Sequence, residues 1–343
     1  MPRRLKIALQ IAVSGGLIAV LLWQIDLGRT VDLVLSSKPG YVLAAVAIFF
    51  VTTVAMAWRW QLLLDSKSLH EPLRWLTKVY FVSCAAGQVL PTSVGGDAVR
   101  IIEHARRRPN ARGEAAGAVF MERAVGSAGT LILVAVGLAV AVGRYEDMDA
   151  VLWLEIALVA AMLVLAVLLF HRRTARALQE RVFPLGRKVR LDRPLASLHA
   201  AMHGYRHQPW ALAGVLAITL GVQFARIGAI WLCGEAVGVD VSALVYVILG
   251  PLLFLLTMVP FTINGLGVRE AFFVAFLGRF DVDPDAAFAT GFLFFAVTLA
   301  AALPGALILL WQGLRPTRPP RSPEPARARH GEPGTRPGAG AAG

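Results

Sequence analysis

Charged residues are scarce in this sequence. Asp, Glu, Lys and Arg make up 16% of the 343 residues, and hydrophobic residues make up 57%. Soluble domains carry about 25% charged residues. The longest polar stretch between apolar runs, residues 170–209, is basic and too short to bury a core. The composition therefore excludes a soluble globular protein and predicts an integral membrane protein.

The sequence also has only two cysteines and lacks the common catalytic and nucleotide-binding motifs. The two cysteines, Cys84 and Cys233, lie in apolar surroundings and form no metal-binding spacing. No phosphate-binding loop, HExxH, GxSxG or dinucleotide-binding pattern occurs. His199, His203 and His207 share one helical face and could hold a metal, but the same stretch is better interpreted as an amphipathic helix on the membrane surface. We expect no metal and no cofactor.

Acidic residues are fewer than basic ones. The chain has 34 Lys and Arg against 22 Asp and Glu, a formal net charge of +12. In a soluble protein this excess would indicate a nucleic-acid partner. Here the basic residues lie in short loops between apolar runs, which is typical of the positive-inside rule and of attraction to anionic lipids. We therefore expect membrane lipids as partners and no nucleic acid.

Apolar segments long enough to cross a bilayer recur along the chain. They are residues 7–24, 41–64, 115–143, 150–170, 210–233 and 284–312. The first resembles a signal peptide but lacks a small-residue cleavage site, so we expect a retained helix. The sequence predicts an all-α polytopic membrane protein with about six spanning helices, in an integral membrane domain of residues 1–314. Residues 315–343 are rich in Pro, Arg and Gly, which predicts a disordered tail.

Loop charges predict the orientation. Residues 171–193 hold eight Lys and Arg against two acidic residues, so this loop should be cytoplasmic. The loops 144–149 and 234–242 are acidic and should lie outside. Both termini are then cytoplasmic, in a multi-pass membrane protein.

Two apolar segments conflict with simple crossing. Basic residues flank Trp75–Leu90 on both sides, so both of its ends should be cytoplasmic. Ser242–Leu277 is interrupted by Pro251 and Pro260, and the count of crossings requires it to return to the outside. The simplest interpretation is that both are re-entrant segments, which enter the membrane and return to the side from which they came.

An internal repeat relates these segments. Residues 91–100 and 260–269 both read Pro-x-Ser/Thr-Val/Ile-x-Gly-x-x-Val-Arg, at an offset of 169. The same offset relates the apolar runs on either side, which predicts two repeats of opposite orientation at 41–143 and 210–312. Helix 150–170 and the basic segment 171–209 would connect them. Such inverted repeats are typical of transporters, whose sites lie between the repeats near the midplane. The alternative is two ordinary hairpins interrupted by Pro and Gly.

The repeated motifs also predict an anion site. Gly-rich backbone, with free N–H groups, followed by an arginine can bind an anion, and a lipid phosphate is the obvious anion in a membrane. Alternatively, the arginines pair with neighbouring acids and only hold the loops. The predicted substrate-binding residues of the two motifs are Gly95, Gly96, Asp97 and Arg100, and Asn264, Gly265, Gly267, Arg269 and Glu270.

Three further charged residues interrupt apolar runs. Charges within the membrane usually face a cavity or a partner, so Glu122, Arg123 and Arg226 complete the predicted lipid-headgroup site. Snorkelling to the interface is an alternative for Glu122 and Arg123. Arg226 lies in the middle of its span, where we expect it to face the interior site or an acidic partner such as Glu122 or Glu270.

The motif set resembles a known family. Residues 91–100, Glu122-Arg123 and residues 264–270, in this order, are similar to the lysylphosphatidylglycerol synthase transmembrane-region family, also called the flippase-like domain family. The match covers about residues 5–315. It implies a bacterial or archaeal plasma-membrane protein. In the best-known members this membrane domain is proposed to move aminoacylated phospholipid between leaflets, while a separate soluble domain transfers the aminoacyl group. We expect a stand-alone member without that soluble domain.

Three functions remain open from the sequence. The first is a lipid translocase or lipid-binding transporter for an anionic or modified phospholipid or glycolipid. The second is a membrane-embedded enzyme that modifies a lipid headgroup, with Glu122, Asp97 or Glu270 as the acid or base. The third is an accessory subunit that docks a lipid-biosynthesis enzyme through residues 171–193. We favour the first and expect no enzymatic activity.

Overall fold

A computed structural model describes residues 25–89, 95–141, 204–258 and 267–313. Within these ranges the protein consists of helices and contains no strand. The α-helices are α1 (Leu27–Leu35), α2 (Pro39–Asp65), α3 (Leu73–Val89), α4 (Gly95–Arg107), α5 (Arg112–Ala141), α6 (Pro209–Ala236), α7 (Ala243–Met258), α8 (Val268–Leu277) and α9 (Pro284–Gly313). The predicted all-α class is confirmed.

Four of these helices, α2, α5, α6 and α9, are long and apolar enough to cross a membrane. They have 27 to 30 residues, and a 20-residue helix already spans about 30 Å. Both α2 and α6 have a proline in their first turn, where its missing N–H costs no hydrogen bond. The polytopic membrane class is confirmed, whereas the predicted spans 7–24 and 150–170 lie outside the described residues.

Between α2 and α5, the chain turns back on itself. The short helix α3 packs against α4, and residues 90–94, which join them, lie outside the described ranges. The carboxylate of Glu71, just before α3, accepts a hydrogen bond from Arg108 Nε and forms an ion pair with Arg107 Nε at the end of α4, each at 2.7 Å. Gln61 near the end of α2 also donates to the backbone oxygen of Glu71, at 2.9 Å. The α3–α4 hairpin therefore begins and ends at the same end of the protein. The predicted re-entrant segment Trp75–Leu90 corresponds to the first arm, α3, and the returning arm, α4, lies beyond the predicted bounds.

The helices α2–α5 form one half of the protein and α6–α9 the other, and the first helices of the two halves are antiparallel. The Lys38 N–H at the start of α2 donates to the Ala236 oxygen at the end of α6, at 2.9 Å. At the opposite end, the Tyr205 hydroxyl, just before α6, donates to the Leu63 oxygen near the end of α2, at 3.0 Å. Because α2 and α6 begin the halves α2–α5 and α6–α9, the two halves start in opposite directions.

The packing of the two halves is reciprocal. Helix α9, the last long helix of the second half, packs on the short helix α3 of the first half. Helix α5, the last long helix of the first half, packs in the same way on the short helix α7 of the second half. Glycines allow both contacts. A Cβ on Gly305 of α9 would lie 1.9 Å from the Phe81 oxygen, and a Cβ on Gly137 of α5 would lie 3.2 Å from the Ile248 Cα. Small residues at such crossings let two helix backbones approach closely in a membrane.

We expect the Gly305→Ala substitution to lower the free energy of unfolding by about 1–3 kcal/mol, because the added methyl group forces α9 away from the α3 backbone. Thermal unfolding of the purified protein in detergent measures the change. Gly221→Ala on α6 is the matched control, since a Cβ there meets nothing within 4 Å. Equal midpoints for the two variants would show that the crossing of α3 and α9 is not tightly packed.

The two ends of the helix assembly differ in charge. The end that contains the end of α2 and both ends of the α3–α4 hairpin, which we call the basic end, is rich in basic residues: Lys67, Arg74, Arg106, Arg107, Arg108 and Arg112. At the other end, which we call the acidic end, Arg29, Lys38 and Arg279 are outnumbered by acidic residues: Asp26, Glu235, Asp240, Asp281, Asp283 and Asp285. By the positive-inside rule, this difference in charge predicts which end of the protein faces the cytoplasm.

Candidate ligand-binding cavity

A cavity of about 290 Å³ lies between the two halves. Helices α2 to α5 of the first half line one side, and α6 and α7 of the second half line the other. Five of the predicted site residues line it: Asp97, Arg100, Glu122, Arg123 and Arg226. Three segments distant in sequence therefore meet at one place.

Glu122 on α5 is the centre of the polar network in this cavity. Its Oε1 accepts hydrogen bonds from Nη2 of Arg59 and from the Tyr80 hydroxyl, the latter at 2.6 Å. Its Oε2 accepts from Arg100 Nη1 at 2.6 Å. The residue is only 2% exposed, and a buried carboxylate is costly unless it is paired and hydrogen-bonded. Glu122 is buried and paired with these donors, so the snorkelling alternative does not describe it.

Asp97 is the second carboxylate of the network. Arg100 Nη2 donates to its Oδ1, and Arg123 Nε donates to its Oδ2, both at 2.5 Å. Arg100 thus bridges Asp97 and Glu122, and its guanidinium lies 4.5 Å from the centre of the Tyr80 ring. The pairing of Arg100 with Asp97, offered above as the alternative to ligand binding, exists, and the pair also lines the cavity.

Arg226 on α6 has a different environment. Its Nε lies 3.4 Å from Thr52 Oγ1, its Nη2 lies 3.1 Å from the Met56 sulfur, and its guanidinium lies over the Phe49 ring at 5.0 Å. Within the described part of the chain, no carboxylate lies within ion-pair distance of Arg226. Glu122, one of its expected partners, lines the same cavity but is occupied by other donors.

Arg226 lies deep in the membrane-spanning part. It is separated by ten residues from Ala236 at the nearer end of α6, a distance of about 15 Å at the helical rise of 1.5 Å per residue. Its neighbour Thr52 is the middle residue of α2. The guanidinium of Arg226 is therefore near mid-depth, between the basic and acidic ends.

Several residues of the network were not predicted. Arg59 is 6% exposed, donates to Glu122 and also to Thr219 Oγ1, the latter at 2.8 Å. The signal for Arg59 was present, because it is a charge within the predicted span 41–64. Tyr80 carries no such signal, since a tyrosine in an apolar helix is ordinary.

Gln223 links α6 to α5 at the cavity wall. Its Nε2 donates to the Gly126 oxygen and to Thr130 Oγ1, both at 3.1 Å. Because the Gly126 oxygen can only accept, the amide orientation is fixed. The Gln223 Oε1 has no hydrogen-bond partner among the described residues.

The glycines of the first motif have a packing role. Gly95 begins α4 and is buried. A Cβ on Gly96 would lie 2.6 Å from the Ser83 oxygen of α3, so glycine is needed where the two arms of the hairpin approach each other. Neither glycine is among the residues that line the cavity. A direct contact of Gly95 or Gly96 with a headgroup stays a prediction.

The described residues of the second motif and the acid that follows it, Gly267, Val268, Arg269 and Glu270, do not line the cavity. Gly267, with φ of 85°, precedes α8, and its N–H donates to Glu270 Oε2 at 2.7 Å. Arg269 Nη2 donates to Glu270 Oε1 at 2.7 Å, and its guanidinium lies 4.8 Å from the centre of the Phe295 ring. Arg269 and Glu270 are both 4% exposed. Arg269 and Glu270 pair with each other and stabilise the start of α8. Asn264 and Gly265 lie outside the described residues.

The cavity carries an excess of positive charge. Its described lining contains four arginines, Arg59, Arg100, Arg123 and Arg226, but only two carboxylates, Asp97 and Glu122. Arginine is always charged under physiological conditions. The described residues therefore leave a net formal charge of two positive in a cavity between the two halves.

The fold and the cavity define a polytopic all-α membrane protein with a charged cavity between two halves. Residues 7–305 match the model of the family described as lysylphosphatidylglycerol synthase TM region, so the chain belongs to this family. The chain is also similar to a UPF0104 membrane protein of Methanothermobacter thermautotrophicus. The two are 24% identical over 324 residues, which cover 89% of this chain and 92% of that protein. The resemblance seen in the motifs is confirmed.

Proposed function

We propose that this protein binds the anionic headgroup of a membrane lipid in the cavity and moves the lipid between leaflets. The observation that carries the proposal is Arg226, a charge near mid-depth without a carboxylate partner among the described residues. A charged side chain at the bilayer centre costs roughly 2.5–3.5 kcal/mol or more. A bound phosphate would compensate this cost, because hydrogen bonds between arginine and phosphate are charge-assisted and strong.

The size of the cavity supports a headgroup as the ligand. Pockets for small molecules have volumes of about 300–1,000 Å³, and this cavity, at about 290 Å³, is just below that range. It can hold a headgroup but not the acyl chains, which would remain in the surrounding lipid. Arg123, whose side chain is 42% exposed, marks a place where the cavity wall meets the exterior.

The family supports a role with lipids, since its description refers to a phospholipid synthase. The synthase activity itself is not part of the proposal. All four oxygens of Glu122 and Asp97 accept hydrogen bonds from arginine or tyrosine. Carboxylates held in this way are poor proton carriers, which favours binding and movement of a lipid over its chemical modification.

We further propose that the basic end faces the cytoplasm, because cytoplasmic loops of membrane proteins carry the excess of Lys and Arg. The cavity then lies between the cytoplasmic surface and the midplane, where Arg226 is its deepest charge. Docking of a lipid-biosynthesis enzyme through residues 171–193 stays a prediction, since that loop lies outside the described residues.

Reconstitution into liposomes tests the proposal. We expect fluorescently labelled anionic phospholipid to move between leaflets faster than in protein-free vesicles, as measured by protection from a membrane-impermeant quencher. Mass spectrometry of the same vesicles should show no new lipid species. Movement no faster than in protein-free vesicles, for every anionic phospholipid tried, would contradict the proposal. A new lipid species would instead support the enzymatic alternative.

A further inference from the structure

Gly126 is a glycine in the middle of α5 that lines the cavity. Glu122 and Thr130, which also line it, lie one turn before and one turn after Gly126 on the same face of the helix. A Cβ atom on Gly126 would meet no other described atom within 4 Å. The backbone of α5 is therefore bare at this point, and open space lies beside it on the cavity side.

Other glycines of α5 have a packing role. A Cβ on Gly129 would lie 2.9 Å from Thr219 Cγ2 of α6, and a Cβ on Gly137 would lie 3.2 Å from the Ile248 Cα of α7. These two glycines let neighbouring helices approach α5 closely. No described atom comes as close to the Cβ position of Gly126, although glycine is unfavourable in the interior of a helix. Helix packing among the described residues thus does not account for the glycine at this position.

The bare stretch of α5 lies next to Arg226. The Gly126 oxygen accepts hydrogen bonds from Gln223 Nε2 of α6 at 3.1 Å and from Thr130 Oγ1 at 3.0 Å. Gln223 and Arg226 both line the cavity and lie about one turn of α6 apart. A headgroup whose phosphate is bound by Arg226 therefore has the rest of its atoms within reach of Gly126.

We propose that Gly126 sets the headgroup size that the cavity accepts. The missing side chain leaves room for the part of the headgroup beyond the phosphate, so the ligand is a phosphodiester lipid with a headgroup of glycerol size or larger. This inference rests on the proposed function and narrows it. The cavity, at about 290 Å³, is small for a ligand pocket. A side chain at position 126 therefore competes with the headgroup for the same space.

Binding of two labelled lipids to the purified protein in detergent tests this inference. Phosphatidylglycerol and phosphatidylmethanol with the same fluorescent acyl chain carry the same charge and differ in headgroup size. We expect the wild type to bind phosphatidylglycerol at least as tightly as phosphatidylmethanol. Gly126→Val fills the open space with a stiff, branched side chain. It should weaken phosphatidylglycerol binding by at least about fivefold, the lower limit for overpacking, and leave phosphatidylmethanol binding close to that of the wild type.

Gly221→Val on α6 is the matched control. Gly221 is not among the described residues that line the cavity, and a Cβ there also meets nothing within 4 Å, so binding of both lipids should be unchanged. Gly126→Ala is the smaller change at the site itself. Alanine forms helices better than glycine, so the midpoint of thermal unfolding should not fall, while phosphatidylglycerol binding should weaken less than in Gly126→Val. A glycine that serves only packing would lose stability instead.

The outcomes separate this inference from the proposed function. If the wild type binds neither lipid, the proposed function fails and the inference fails with it. If Gly126→Val binds phosphatidylglycerol as tightly as Gly221→Val does, or weakens both lipids equally, lipid binding stands and the size role of Gly126 is overturned. The same holds if the wild type binds phosphatidylmethanol more tightly than phosphatidylglycerol. If Gly126→Val does not fold, Gly126→Ala decides by the same criteria.

Discussion

Replacing Arg226 with glutamine should weaken the binding of anionic phospholipid by about 10- to 100-fold, the equivalent of one charge-assisted hydrogen bond worth roughly 1.5–3 kcal/mol. Its movement in liposomes should fall accordingly. The fold should survive, because among the described residues the polar and ring contacts of Arg226 are with Thr52, Met56 and Phe49, and it pairs with no carboxylate there. We even expect a small gain in thermal stability, since a deeply placed charge is removed. Displacement of fluorescent phosphatidylglycerol and thermal unfolding measure the two effects.

Arg106→Gln is the control for the charge itself. Arg106 lies at the basic end, its side chain is 74% exposed, and it pairs with Glu103 on the same helix. The substitution removes one positive charge from the protein and none from the cavity, so lipid binding should remain close to that of the wild type. If Arg226→Gln binds lipid as well as Arg106→Gln does, Arg226 does not bind the headgroup.

Replacing Glu122 with alanine should have the opposite effect on the fold and destabilise it by about 3–5 kcal/mol, the usual cost of breaking a buried ion pair. Arg59, Arg100 and Tyr80 would each lose an acceptor. Arg100 would keep Asp97, whereas Arg59, which is 6% exposed, would keep only the neutral Thr219 hydroxyl among its described acceptors and would lose its counter-charge. Thermal unfolding in detergent, with the yield of monodisperse protein, checks the expectation.

Two matched variants define this effect. Glu122→Gln keeps the shape and one acceptor oxygen but loses the charge, so its destabilisation should be smaller than that of the alanine variant. Glu103→Ala removes an acid on the exterior whose ion pair with Arg106 is solvent-exposed, and such pairs contribute about 0–1 kcal/mol. A Glu122→Ala variant as stable as Glu103→Ala would mean that the network does not hold the first half together.

The two substitutions together separate binding from folding. On the proposed function, Arg226→Gln removes the charge that binds the headgroup, so binding should fall and stability should not. Glu122→Ala removes a charge that pairs with the protein's own arginines, so stability should fall first. We therefore expect different roles for two charged residues that looked equivalent as interruptions of apolar runs.

Much of the architecture could be predicted because it follows from local patterns in the sequence. The four long helices follow from apolar runs, and the return of the α3–α4 hairpin to its starting end follows from basic residues on both sides of Trp75–Leu90. Asp97 and Arg100 could be singled out from the repeated Gly-Arg motif, and Arg226 because a charge in an apolar run is conspicuous.

The meeting of these residues could not be predicted in the same way. Arg59 and Glu122 are 63 residues apart, and Arg226 and Thr52 are 174 apart, so only the packing of the halves reveals the contacts. The two motifs were also expected to behave alike. Glu270 directly follows Arg269 and pairs with it, whereas the acid of the first motif precedes Arg100 by three residues and is shared with Arg123. Among the described residues, Asp97 and Arg100 line the cavity, whereas Arg269 and Glu270 do not.

The depth of Arg226 has an electrical consequence. A headgroup that travels from the basic end to Arg226 crosses about half of the bilayer, and each elementary charge that crosses the whole of it exchanges about 2.3 kcal/mol per 100 mV with the membrane potential. With the basic end in the cytoplasm and the cell interior negative, the field drives an anion outward. The first half of the path is then downhill for an anionic headgroup by roughly 1 kcal/mol per 100 mV, without any coupled ion.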